Sequence, residues 1–377
     1  VFKVKRIVVI GAGIVGASTA YHLARSGANV TLIDRNDIGK ATDAAAGIIC
    51  PWLSQRRNKA WYQLAKAGAK YYPELIGQLE AEGERETGYA KVGVLCLHSD
   101  IGKLDKMEER AKKRREDAPE IGEITRLTPE ETKSRFPVLS DEYRSLHVSG
   151  AARVNGKAVC LALINAAKRH GTRMIRAEGK LFCDGQELKG VIADGETIMA
   201  DQVIVTSGAW ARETLQLLGI TFQIEPQKAQ IAHLDLLNTN TDEWPVVMSP
   251  TNHYLLAFDK GRIVAGATHE DEVGFDTRVT AGGVHEILDK AFTIAPGLSQ
   301  AEVNEIKVGF RPVAPGFLPV IGEIPNYSGL FVANGLGSSG LTIGPYLGAE
   351  LAKLALGKET EIDLSLYNIE EAIRKET

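Results

Sequence analysis

Cysteine is scarce in this sequence. Four residues (Cys50, Cys96, Cys160, Cys183) are scattered through 377, with no CxxC pair. That spacing excludes a disulfide framework and a thiolate zinc site, and it points to buried thiols in a reducing, cytoplasmic setting. The eight histidines show no HExxH or other ligand spacing, so no metal is expected. An excess of basic charge is also missing: 44 Lys and Arg stand against 48 Asp and Glu, a net −4. No field suited to nucleic acid follows from that balance. No apolar run approaches the length that crosses a membrane. The basic start VFKVKR before an apolar run is not followed by a small-residue cleavage site, so it reads as a strand and not as a signal peptide. Internal repeats and low-complexity tracts are absent.

What is present begins with VVIGAGIVGASTAYHLARSGANVTLIDR. Ile7 to Ile10 is a β-branched run that reads as a buried strand. Gly11, Gly13 and Gly16 follow, then helical periodicity from Ile14 to Arg25, a stop at Gly27, and a second strand from Asn29 to Ile33 that ends at Asp34. A pyrophosphate needs backbone N–H groups aimed at it with no Cβ in the way. Gly11 allows the tight turn, Gly13 the close approach, and Gly16 the packing of helix on strand. The helix start adds partial positive charge. Asp34 is spaced to hydrogen-bond ribose hydroxyls, which disfavours a 2′-phosphate. This unit is shared by nicotinamide and flavin proteins.

Further along, DRNDIGKATDAAAGIICPW reads as an ordered loop, Asn58–Glu82 as a helix, KVGVLCLH as a strand and Asp100–Asp117 as a charged surface helix. LTPEETKSRFP carries Thr128 as N-cap, Pro129 at the first helical position, Glu131 to complete a capping box, and Pro137 as a stop. A second α/β segment starts near Val154, with a helix at Gly156–His170, a strand at Arg173–Arg176, a hairpin turning at Asp194-Gly195, and the strand-turn-helix VIVTSGAW. Phe222–Arg311 is mostly strand, interrupted by a helix at Ala281–Ile294. The chain closes on LFVANGLGSSGLTIGPYLGAELAKLAL, which is strand, glycine turn, then helix from about Leu341. Glycines and hydroxyls at that second helix start favour negative charge on a reduced flavin ring, which tips the choice toward flavin. The fold class is α/β, with a discontinuous Rossmann-like dinucleotide-binding domain (1–85, 150–218, 312–377) and a mixed or antiparallel-sheet substrate domain (86–149, 219–311).

Taken together, VVIGAGIVGASTAYHLARSGANVTLIDR, DAAAGII, VIVTSGAW, GRIVAGAT, VGFRPVAPGFLPVIG and ANGLGSSGLTIGP make the chain resemble, along nearly its whole length, the FAD-dependent D-amino-acid oxidase family. Within it the likeness is to glycine oxidase, monomeric sarcosine oxidase and bacterial D-amino-acid dehydrogenases. The resemblance implies FAD held by Gly11, Gly13, Ile14, Val15, Gly16, Asp34 and Arg35. Beside the ring it implies Ala44, Ala45, Ala46, Gly47, Gly208 and Trp210, and around the pyrimidine edge Gly337, Ser338, Ser339, Gly340, Leu341 and Thr342. It implies that Arg311 grips a substrate carboxylate, a task suited to a guanidinium fork, and that Tyr254 orients the substrate. The implied reaction oxidises the C–N bond of a small amino acid by hydride transfer from the α-carbon to flavin N5, giving an imine that hydrolyses to a keto acid or glyoxylate. Electrons then pass to oxygen, a quinone or a protein acceptor.

Departures from the family pattern carry expectations of their own. RPVAPGFLPVIG lacks the cysteine that links sarcosine oxidases to flavin, so FAD is expected to be non-covalent. Val264 stands at the position of a flavin-side lysine, which argues against fast reaction with oxygen, and Ser338 and Asn252 stand where glycine oxidase has arginine and histidine. Substrate identity and oligomeric state, homo-oligomer included, are therefore open. His269 and Cys50 read as structural. Two rival readings are a flavin-binding subunit of a heteromeric amino-acid dehydrogenase and, more remotely, an NAD-dependent hydroxy-acid dehydrogenase. A non-catalytic flavoprotein is a third.

Overall fold

The computed structural model describes residues 4–374. Its first unit has the bounds read from the sequence: β1 (Arg6–Ile10), α1 (Ile14–Arg25) and β2 (Asn29–Ile33). The β-branched side chains of both strands are buried, and so is α1 except at His22 and Arg25. The helix is enclosed because it packs on the sheet and against the helices Gly156–Arg169 and Gly340–Ala355. Each fully buried large side chain in that contact, such as Tyr21 or Leu23, stabilises the fold by about 1.5–3 kcal/mol.

β1 sits near the centre of a six-stranded sheet, ordered Val320–Glu323, Leu330–Asn334, Gln202–Val205, β1, β2, Arg173–Ile175. All its pairings are parallel except the one between Val320–Glu323 and Leu330–Asn334. Its strands therefore come from three separated stretches of chain. An eight-stranded sheet takes the rest, ordered Glu302–Val313, Glu225–Asp235, Arg262–Gly266, Tyr254–Ala257, Val246–Met248, Val94–His98, Arg144–Val148, Ile124–Leu127. It is antiparallel apart from the parallel pair Val246–Met248 and Val94–His98.

Local signals in the chain explain many boundaries. Asn58 caps Lys59–Ala81 by accepting the Trp61 N–H. Thr128 and Glu131 form the reciprocal capping box of Pro129–Arg135, which satisfies two otherwise orphaned donors. Asp194 and Gly195 both have positive φ, the turn geometry that matches hairpin twist.

Three details differ from the sequence reading. The expected loop after Asp34 contains a short helix, Ala41–Ala44, and a strand, Ile48–Ile49, paired with Ala152–Arg153. Small residues hid both, because neither carries a local period. The Asp194-Gly195 hairpin gains a third strand, Lys180–Asp184, which alternates poorly and is fixed by pairing alone. The last helix starts at Gly340 and not at Leu341.

Candidate active site

A cleft of about 400 Å³ lies at the C-terminal ends of the central strands of the six-stranded sheet and against strands Glu225–Asp235 and Glu302–Val313 of the eight-stranded one. One end is built by β1 and α1. Gly11 has φ of +101°, and a Cβ there would lie 2.6 Å from the Thr206 carbonyl oxygen. Gly16 does not line the cleft: a Cβ on it would meet the Gly11 oxygen at 1.8 Å, so its role is the helix-strand contact. Gly13 faces open space, with only Thr42 Oγ1 at 3.4 Å from a notional Cβ. The N-cap of α1 is Gly13, which has no side chain to cap with, and no acidic residue occupies the first turn. The Ile14 N–H donates to Thr42 Oγ1 at 3.0 Å, which places a hydroxyl at the positive helix end. The start of Gly340–Ala355 is likewise uncapped and free of acidic residues. Two helix starts free of acidic residues opening on one cleft, with a glycine cradle that a Cβ would fill, fit the diphosphate of FAD and the negative charge of its reduced ring.

Asp34 ends β2 with its carboxylate held in place. Oδ2 accepts the Ala12 N–H at 2.7 Å, and Oδ1 accepts the Asn36 N–H at 2.7 Å and Lys40 Nζ at 3.2 Å. Two oxygens offer about four acceptor sites, so capacity for a ribose hydroxyl remains. Arg35 closes the rim, donating to Asp37 at 2.5 Å and to Glu213 at 2.8 Å, with Glu178 at 3.6 Å.

At the other end the long strand Glu302–Val313 carries Arg311 into the cleft, in register with Gln227. Arg311 Nη1 donates to Gln227 Oε1 at 3.1 Å, and the Tyr254 hydroxyl hydrogen-bonds the same guanidinium. Burial lowers the Arg311 pKa below the usual guanidinium range against the opposing pull of Tyr254 and Asp271, and among the described residues no ion pair within 4.0 Å engages it. Burial raises the Tyr254 pKa against the opposing pull of Arg311, so its phenol stays protonated at neutral pH. Trp210 stacks on Phe275 with ring centres 5.1 Å apart, and Phe310 meets both edge-on, giving the cleft an aromatic wall.

The cleft brings together Gly11, Gly13, Ile14, Val15, Asp34, Arg35, Ala44, Ala45, Ala46, Gly47, Gly208, Trp210, Tyr254, Arg311, Gly337, Ser338, Gly340, Leu341 and Thr342. Ser339 is not among them: it is buried, and its hydroxyl accepts the Trp61 Nε1–H at 3.0 Å. Cys50 lies outside the lining, and burial pushes its thiol up to about 12. Val264 is buried within its strand and Asn252 is exposed, both outside the lining. Sequence reasoning missed Lys40, Thr42, Thr206, Glu178, Glu213 and Asn334, which also line the cleft. Only Thr42 had a local signal, a hydroxyl among alanines just before DAAAG. Ser338, standing where an arginine was expected, accepts a hydrogen bond from Arg56 Nη2 at 3.2 Å.

Comparison with known proteins bears on the same cleft. A family model described as DAO, FAD dependent oxidoreductase, matches residues 6–354. The chain is 61% identical to the protein named Uncharacterized oxidoreductase YurR of Bacillus subtilis (strain 168), over 97% of this chain and 98% of that one. The crystal structure of iminodiacetate oxidase from Chelativorans sp. BNC1 superposes with a TM-score of 0.94 at 45% identity, covering 96% of this chain and 98% of that one. Glycine oxidase from Geobacillus kaustophilus superposes with a TM-score of 0.85 at 26% identity, covering 97% and 98%. With a glycine cradle, two helix starts free of acidic residues and a match across most of its length, the chain belongs to the DAO family of FAD-dependent oxidoreductases.

Proposed function

We propose that this chain oxidises the C–N bond of a small amino acid of the glycine, sarcosine, iminodiacetate or D-amino-acid type. The observation that carries the reading is Arg311: a guanidinium without a carboxylate partner, lining the same cleft as the glycine cradle. Two parallel hydrogen bonds from its fork suit a substrate carboxylate. FAD, bound without a covalent link, supplies the hydride acceptor. Gly11, Gly13, Thr42 and Asp34 would hold its diphosphate and ribose, and Gly337, Ser338 and Leu341 its pyrimidine side. Residues 1–85, 150–218 and 312–377 serve as the FAD-binding domain, a division supported by the strands of the six-stranded sheet. Residues 86–149 and 219–311 then form the substrate domain.

The cleft also governs the proton state of the amine. Its carboxylates Asp34, Asp37, Glu178 and Glu213 are engaged with Lys40, Arg35 or Lys180 at the ribose end. Arg311 itself is held by Gln227 and a protonated Tyr254, with Asp271 behind Gln227 and beyond ion-pair distance of the guanidinium. Positive charge there disfavours an ammonium group, so a substrate anchored on Arg311 is held as the neutral amine, whose lone pair assists loss of hydride from the α-carbon. The imine is hydrolysed to a keto acid or glyoxylate. Among the described residues no helix is long and apolar enough to cross a membrane.

The test is anaerobic mixing of the purified holoprotein with glycine, sarcosine, iminodiacetate and D- and L-amino acids while flavin absorbance is followed. Bleaching by at least one small amino acid is expected. Admitting oxygen then distinguishes oxidase from dehydrogenase by the rate at which colour returns. Silence across the whole panel overturns the reading.

A further inference from the structure

Beside the main cleft lies a smaller cavity of about 120 Å³, walled by Arg56, Gln227, His269, Phe317 and Ser338. The two share the segment Leu336 to Ser338, and Gln227 in the smaller one holds Arg311 of the larger. We propose that this cavity, headed by Arg56, receives the second carboxylate of an amine substrate that carries two. The proposal rests on the reading above that Arg311 takes the first.

Arg56 comes from a distant part of the chain, just before the helix Lys59–Ala81, and it is held in place. Nη2 donates to Ser338 Oγ at 3.2 Å, and the guanidinium carbon lies 4.7 Å from the centre of the Trp61 ring. Trp61 is itself anchored, its indole N–H on Ser339 Oγ at 3.0 Å and its backbone N–H on the Asn58 cap. Neither a hydroxyl nor an aromatic face neutralises a guanidinium. The group is therefore fixed in direction and still able to donate to an anion through its remaining N–H bonds.

The charge balance supports the same assignment. Arg35 and Arg262 each meet a carboxylate at 2.8 Å or less. Among the described residues no carboxylate pairs with Arg56 or with Arg311, yet the two guanidiniums lie close enough for the charge of Arg311 to act on Arg56. Packing against the cavity wall, and then that charge, lower the Arg56 pKa. Partial burial and Arg311 push His269 toward the neutral form, so it adds no like charge to the cavity. The two guanidiniums repel each other in the ligand-free protein, with Asp271 easing the charge on Arg311 and solvent screening the exposed Arg56, and a ligand bearing two carboxylates relieves that repulsion. The second carboxylate can belong to an N-carboxymethyl group or to an amino-acid side chain.

Unreactive isosteres separate these cases and need no turnover. Thiodiacetate mimics the N-carboxymethyl arrangement, glutarate the side-chain dicarboxylate, and (methylthio)acetate has only the first carboxylate. Their dissociation constants for the holoprotein are read from perturbation of the flavin spectrum. One of the dicarboxylates should bind the wild type about 10- to 100-fold more tightly than (methylthio)acetate, and Arg56→Gln should abolish that ratio. Arg56→Lys, which keeps charge but not the fork, should fall between. Thiodiacetate or glutarate as the preferred ligand tells which arrangement is recognised. Equal affinities in the wild type, or a ratio untouched by Arg56→Gln, overturn the second subsite. A loss confined to flavin retention does so as well, since it would assign Arg56 to the cofactor. Failure of the underlying reading shows differently: Arg311→Ala would then bind all three acids as the wild type does.

Discussion

Replacing Arg311 by alanine gives two numbers that must move independently. Its fork offers a carboxylate two charge-assisted hydrogen bonds worth about 1.5–3 kcal/mol each, together about 3–6 kcal/mol. That corresponds to a fall of about 150- to 25,000-fold in kcat/KM for flavin reduction. Stability should respond otherwise. The substitution leaves Gln227 Oε1 and the Tyr254 hydroxyl each short of a partner, a cost of about 1–2 kcal/mol. It also removes a buried charge that no carboxylate compensates, which offsets that cost. A net change within about 1 kcal/mol follows, or a Tm shift below about 3 °C. Anaerobic stopped-flow at 450 nm (roughly the flavin band, where the ring's electron chemistry is read) and thermal unfolding of the same preparation measure both. A variant that reduces flavin within about threefold of the wild type refutes the role of Arg311. One that loses activity only because it unfolds refutes the charge argument.

The cradle makes a paired prediction. Gly13→Ala meets only Thr42 Oγ1 at 3.4 Å and should fold while retaining little flavin, whereas Gly16→Ala drives its Cβ to 1.8 Å from the Gly11 oxygen and should lower Tm and yield. Equal Tm values for the two variants would contradict this. Thr42→Asp places a carboxylate at the start of α1, which should stabilise the apoprotein by about 0.3–1 kcal/mol while weakening FAD binding by like-charge repulsion; flavin titration and apoprotein melting read the two effects, and an unchanged FAD affinity counts against a phosphate at that helix end. Tyr254→Phe removes one hydrogen bond to the Arg311 guanidinium and should reduce kcat/KM about 2- to 10-fold, a wild-type value being the adverse result. Finally, His22, His147 and His233 are each pushed down to about 4, chiefly by burial and then by Arg25, Arg135 and Lys307. The unfolded chain binds protons at these sites from about pH 6.5 downward and the folded chain does not, so their contribution is present above that pH and lost as pH falls toward 4. The unfolding free energy from urea titration should drop steadily across that window, by up to about 2 kcal/mol per histidine after solvent screening, and a flat profile between pH 7 and 5 would contradict the burial argument.

Much of the site could be read from the residues because its signals are short-range. The bounds of β1, α1 and β2 follow from β-branched runs and the glycines between them. The Thr128 cap and the Asp194-Gly195 turn are chemistry between neighbours in the chain, independent of what packs around them. Arg311 and Tyr254 were singled out by motif, and they share one cleft because their strands belong to one sheet.

Other features have no local cause. Nothing near Arg56 in the sequence distinguishes it from Arg57 beside it; only the packing of Lys59–Ala81 against Gly340–Ala355 sets it on Ser338. Thr42 reaches the Ile14 N–H because Ala41–Ala44 is held over α1 by contacts with the strand Glu302–Val313. Ser339 and Ser338 are adjacent and chemically alike, yet one is turned inward to Trp61 and the other outward to Arg56, since a helix start points successive side chains in different directions. Periodicity, caps and turns are set by each residue's own backbone and its nearest neighbours, so the chain alone determined the dinucleotide unit. Which distant side chains meet depends on the summed packing of two sheets, and only the tertiary structure decided that.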